Sequence, residues 1–185
     1  MLRKKNFLGA NERRLIMSRD NTAFFKDAKI IFKRFSGDDF KKGVPTFCIE
    51  LDEETANDLR SKDWPVKVWT PKPDENGRVG EPRQFLKVSL YFKGEGKDIS
   101  PQIVTEDSAT GKRTRYDNTS VRRLDQLMLS DVEVEIRRWW NDRYQNEGWC
   151  LALNRLWAQI ESTDFDRKFE FEDDDDWATD DVDTL

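Results

Sequence analysis

The chain has no histidine, only two cysteines, and no apolar run approaching the length of a membrane span. Each absence excludes something. Without histidine, and with Cys48 and Cys150 far apart rather than in a CxxC pair, no zinc or other metal site is expected. No nucleophile–base pair stands out either, so the reading is of a protein without catalysis and without a cofactor. Both cysteines sit in apolar runs, which points to buried free thiols rather than a disulfide. Residues 1–20 are basic but lack a continuous apolar segment and a small-residue cleavage site, so they do not read as a secretory signal. A cytoplasmic protein with no membrane association is the expectation.

Aromatic residues, at 12%, are abundant for a chain in which 37% of residues are charged. The charge is unevenly placed. Residues 164–185 hold eleven Asp or Glu against Arg167 and Lys168, which leaves residues 1–163 at about +4 by subtraction from the overall −5. Like charges this dense repel, and few apolar residues are present to offset chain entropy, so a disordered acidic tail is expected. Interleaved aromatics make it resemble a nucleic-acid strand in charge and flatness. Phe169, Phe171, Asp173, Asp174, Asp175, Asp176, Trp177 and the terminal Leu185 are its candidate partner-binding residues. A simple solubilising tail is the alternative. The four consecutive aspartates would chelate cations only weakly and are not read as a metal site.

The organisation expected is a basic arm over residues 1–24, a domain over 25–163 and the tail over 164–185. The arm either contacts phosphates or precedes an alternative start at Met17. Within the domain, residues 28–35 (AKIIFKRF) read as a strand. Ile30 and Phe32 would share one face, with Lys29, Ile31, Lys33 and Phe35 on the other. Residues 46–51 read as a second strand. Asp52 then caps a short helix starting at Glu53. Residues 66–70 form a short strand with Val66 and Val68 inward and Lys67 and Trp69 outward. A loop follows, rich in proline and glycine and carrying Lys72, Arg78 and Arg83.

Residues 84–92 alternate most clearly. Leu86, Val88, Leu90 and Phe92 make one face; Phe85, Lys87, Ser89 and Tyr91 make the other. A short strand is expected over 99–104 and a polar loop with a basic knot (Lys112, Arg113, Arg115) over 106–118. Ser120 would cap a helix over 121–129. Strands at 131–140 and 149–160 would form a hairpin. In the first of them Val132, Val134 and Ile136 point inward and Glu133, Glu135, Arg137 and Trp139 outward. The periodicity of 149–160 also permits a helix; the flanking Gly148 favours the strand. About six short strands and one or two small helices suggest a mainly β fold: an OB-fold-like, partly closed antiparallel barrel.

The chemistry lies in the outward faces. Lys33 and Phe35, Lys67 and Trp69, Phe85 with Lys87 and Tyr91, and Arg137 and Trp139 each combine a cation with a ring. Cations follow phosphates and exposed rings stack on bases of any identity, so these residues, with Lys72, Arg78 and Arg83, are the candidate contacts to single-stranded nucleic acid. Packing under loops, or in a homo-oligomer contact, is the alternative role for the same rings. The segment ATGKRT at 109–114 fails as a phosphate loop, because Arg113 follows Lys112 where Ser or Thr is needed.

Several stretches carry a family likeness: AKIIFKRFSG with FCIELDEE, DWPVKVWTPKP, VEVEIRRWWN followed by GWCLALNRLWAQIE, and the closing DDDD. Together they span residues 28–176. The sequence resembles the OB-fold single-stranded DNA-binding proteins of bacteriophages that end in an acidic tail. The resemblance implies coating of single-stranded DNA in replication, recombination or repair, in a host bacterial cytoplasm. It also implies a tail that regulates access and recruits replication or recombination proteins. A protein-interaction module, or a DNA mimic acting through the tail, is the competing expectation.

Overall fold

A computed structural model describes residues 15–19, 21–37, 43–92, 100–143 and 148–161, with the backbone alone at 15–19. The acidic tail and residues 1–14 of the basic arm lie outside the described residues. The elements run β1 (Leu15–Arg19), β2 (Thr22–Phe25), β3 (Lys29–Arg34), β4 (Thr46–Leu51), α1 (Glu53–Ser61), β5 (Lys67–Trp69), β6 (Arg83–Ser89), β7 (Gln102–Asp107), β8 (Arg113–Tyr116), a 3-10 turn (Val121–Asp125), β9 (Leu129–Asn141) and β10 (Gly148–Ile160). Two strands therefore fall inside the stretch expected to be an arm. β1 pairs with β2, and β2 adds to β9.

The β9–β10 hairpin is the spine, with 13 residues in each strand. Strand order along the main path is β1-β2-β9-β10-β6-β4-β3; β5 adds to β6, β7 to β10 and β8 to β7. One edge of β10 pairs with β9 along its length. The other edge is shared. It meets β6 at Ala152–Ser89 and β7 from Arg155–Gln102 to Ile160–Asp107, both in parallel. Asn154 is the extra residue of a bulge between Leu153 and Arg155, at the point where β10 changes partner. Bulges bend a strand and increase its twist, which lets one strand serve two diverging neighbours. The sheet is thus mixed and, among the described residues, not closed, in place of the antiparallel, partly closed barrel expected.

The inner face carries the core. Ala23, Phe25, Phe47, Ile49, Leu86, Val88, Val134, Ile136, Leu153 and Leu156 are all buried, at the alternate positions that strand geometry requires. α1 covers part of it with Ala56 and Leu59. Its start is fixed by Asp52, whose carboxylate accepts from the Thr55 amide at 2.8 Å, and Glu53 and Glu54 lie at the positive end of the helix dipole. The strand over Gly148–Ile160 settles the choice left open by its periodicity.

Four elements differ from expectation. β7 begins at Gln102, because Ile103 and Thr105 face the core and Ser100 and Pro101 do not join the ladder. The polar stretch 106–118 contains β8, which pairs with β7 through a turn in which Gly111 has φ +68°. The expected helix over 121–129 is a single 3-10 turn, and Leu129 already belongs to β9. Ser120 makes no side-chain cap there. Asp117 holds the approach instead, accepting from the Thr119 and Ser120 amides; these hydrogen bonds keep its carboxyl well below the usual range. Finally, Val68 is exposed rather than inward, since β5 pairs only with the end of β6 and reaches no second layer.

Candidate functional site

The outer face of the sheet is read from the pairing register, because residues opposite one another on neighbouring strands share a face. One row crosses the molecule: Thr22, Arg137, Ala152, Ser89, Thr46 and Arg34, on β2, β9, β10, β6, β4 and β3. A second row holds Ile31, Cys48 and Lys87. A third holds Lys29, Glu50, Phe85 and Lys67, and beyond it Arg83 sits opposite Trp69. Each row of this surface therefore carries at least one cation, and rings join them at Phe85 and Trp69.

Three rings cluster on it. Phe32 packs edge-on against Trp69 with centroids 5.6 Å apart and against Phe85 at 5.9 Å. Phe32 is 44% exposed and Trp69 43%, although both are large apolar side chains. A second pair, Tyr91 and Trp139, meets at 6.4 Å. The face is electropositive. Lys87, Lys67 and Arg34 lie close enough to favour the Cys48 thiolate, although burial pushes its thiol up. Lys29 and Arg83 share Glu50 as their ion-pair partner, Arg83 at 3.6 Å, which leaves this trio with one net positive charge. Lys67, Lys72, Arg78, Lys87 and Arg137 have no ion-pair partner or side-chain hydrogen bond among the described residues. Arg137 stands out further, because its Nε is buried and unpartnered.

Two expected contacts are not on this surface. Phe35 is fully buried and stacks on Phe47 at 5.4 Å. Lys33 turns away: its Nζ donates to the Leu124 carbonyl at 3.3 Å and the Leu127 carbonyl at 2.6 Å. The cause is a bulge. Ile31 pairs with Cys48 and Arg34 with Thr46, so β3 spends one residue more than β4, and Phe32 takes φ +48°. The extra residue reverses the alternation, so Arg34 and Phe32 go out and Phe35 goes in. Lys72 and Arg78 lie exposed in the loop between β5 and β6, beside rather than within the rows. The tail candidates, Phe169 to Leu185, lie outside the described residues.

Sequence reasoning missed Phe32, for which the signal would have been a bulge that no residue preference announces. It also missed a second aromatic group, formed by Trp140 and Trp149 of the β9–β10 hairpin with Trp64. There Arg138 lies over Trp64 at 5.3 Å and Trp149 at 4.6 Å, and Trp149 meets Trp140 at 5.3 Å. Cys150 is half-buried rather than buried, and is free like Cys48. Among the described residues no three His, Cys, Asp or Glu side chains are grouped to hold a metal ion, and no helix is long and apolar enough to cross a membrane.

No protein-family model matches the sequence, and no curated protein matches it. Among solved structures the chain is similar to the single-stranded DNA-binding protein from bacteriophage Enc34. The TM-score is 0.47 at 6% identity, over 84% of this chain and 89% of that one. A C-terminal truncation of that protein gives 0.46 at 8% identity, and its complex with ssDNA gives 0.47 at 7%; each match covers 84% of this chain and 95% of the other.

Proposed function

We propose that the chain is a non-enzymatic single-stranded DNA-binding protein that holds the strand across the outer face of its sheet with little preference for sequence. The observation that carries this reading is the placement of Phe32, Phe85 and Trp69 on one exposed surface beside Lys67 and Lys87, which are unpaired among the described residues. Rings left half in water cost hydrophobic free energy, and cations left unpaired repel one another. A ligand that is both flat and anionic relieves both at once. A single strand is such a ligand, since its phosphates meet the cations and its unstacked bases meet the rings. Duplex DNA keeps its base faces covered and would leave the rings unused.

In this reading the face is the OB-like binding surface, Tyr91 and Trp139 extend the ring track, and Arg137 anchors a phosphate between them. The acidic tail competes for the same surface when it is empty and recruits replication or recombination proteins when it is displaced. The test is a titration of the full chain with oligo-dT, followed by tryptophan fluorescence. Quenching is expected, and the affinity should fall with salt at a log–log slope of about 0.7 per phosphate neutralised. An unchanged fluorescence signal with no electrophoretic shift would refute the reading.

A further inference from the structure

The same face holds a feature that single-strand coating does not require. Between β2, β9, β10 and β7 it sinks into an open hollow of about 360 Å³, lined by Phe24, Trp157, Gln102, Glu133, Arg113 and Arg155 among others. Pairing fixes its geometry. Phe24, Glu135, Arg155 and Gln102 form one cross-strand row, and Glu133, Trp157 and Val104 form the next. Glu135 is two residues from Arg137 on β9, so hollow and anchoring row share one side of the sheet. The volume falls within the range of about 300–1,000 Å³ typical of small-molecule sites.

Most of the charge in the hollow is already satisfied. Arg155 donates to Glu135 at 2.5 Å and Arg113 to Glu106 at 2.8 Å; Asn154 also donates to Glu135, at 3.1 Å. Two groups remain. Glu133 has only the Lys26 ammonium at 3.8 Å, with both side chains substantially exposed. The Gln102 side-chain amide has no partner among the described residues. An acceptor carboxylate and an amide thus lie beside the rings of Trp157 and Phe24, at the edge of two guanidiniums whose remaining N–H donors face solvent. A phosphate is disfavoured there by Glu133, whereas a base with an exocyclic amine fits: the rings take its face and the carboxylate accepts from its amine.

We infer that this hollow takes one base out of the bound strand and favours cytosine or adenine over thymine, which has no exocyclic amine. The inference rests on the single-strand reading above and adds a point of base discrimination to an otherwise indifferent surface. The experiment compares the full chain with its Glu133→Ala and Gln102→Ala variants. Each is checked for an unchanged thermal transition and titrated with oligo-dC, oligo-dA and oligo-dT of equal length. The wild type should prefer oligo-dC to oligo-dT by about tenfold, the scale of one hydrogen bond to a charged group. Glu133→Ala should remove that preference while binding oligo-dT at least as tightly as the wild type, since a carboxylate that repels phosphate is gone; Gln102→Ala should reduce the preference. Because oligo-dA stacks on itself, its informative quantity is the change between wild type and variant. Equal affinities for oligo-dC and oligo-dT, or a preference that survives in Glu133→Ala, would overturn the inference and leave strand binding intact. Failure of all three oligonucleotides to bind would overturn the strand-binding reading beneath it.

Discussion

Arg137 is second of the six positions in the longest cross-strand row, with its Nε buried and unpartnered. A polar group in that state costs about 1–3 kcal/mol relative to one that is satisfied. Removing it should therefore not harm folding. Arg137→Met is expected to keep or raise the melting temperature while weakening oligo-dT binding about tenfold, read by parallel calorimetry and fluorescence titration; a lowered melting temperature with unchanged affinity would make Arg137 structural. Phe32 and Phe35 give the converse contrast. Phe35→Ala opens a cavity in the core and should cost about 3–5 kcal/mol of stability. Phe32→Ala removes a half-exposed ring and should cost little stability but about 1–3 kcal/mol of strand affinity. Denaturant melts and titrations of both variants check this pair. The alternation in AKIIFKRF assigns these two phenylalanines to the wrong faces, because a single residue at φ +48° is invisible in a hydropathy pattern.

Among the elements, β3 depends on the 3-10 turn that receives its end. Lys33 donates to two carbonyls at the end of and just beyond the turn. Asp125 returns the arrangement by accepting from the Phe35 and Ser36 amides, both at 2.8 Å. This clamp holds the bulge, and with it the outward position of Phe32. Lys33→Met should orphan the carbonyls, costing about 1–3 kcal/mol in a denaturant melt. If Lys33 instead contacted phosphates, the substitution would leave stability alone and reduce binding. The elements legible in the sequence were those that alternate cleanly and pair locally: β4, β6, β9 and β10, and α1 through its Asp52 cap. β8 was hidden because RTRY has only one core residue, Tyr116. The parallel pairing of β7 with β10 was hidden for another reason. It joins segments about fifty residues apart, and no local pattern encodes a partner across that separation.

Across the full chain, charge of opposite sign is held in separate segments. Residues 1–163 carry about +4 and residues 164–185 carry eleven acidic groups against two basic ones. If the tail competes for the ring-and-cation face, deleting residues 164–185 should tighten oligo-dT binding, most strongly at low salt where screening is weakest; unchanged or weaker binding would remove the tail from the mechanism. The proposed face was legible in its chemistry and in the outward placement of Trp69, Phe85, Lys67, Lys87, Arg137 and Trp139. It was not legible in its assembly, because which rows lie side by side is a property of the sheet. In the proposed function the strand lies on the outer face. Photo-crosslinking the full chain to an iodouracil-substituted oligonucleotide, then mapping adducts by mass spectrometry, tests it most directly. Adducts at Trp69, Phe85, Tyr91 and Trp139 are predicted. Adducts confined to α1 and the loop behind it, with none on β5, β6 or β9, would contradict it.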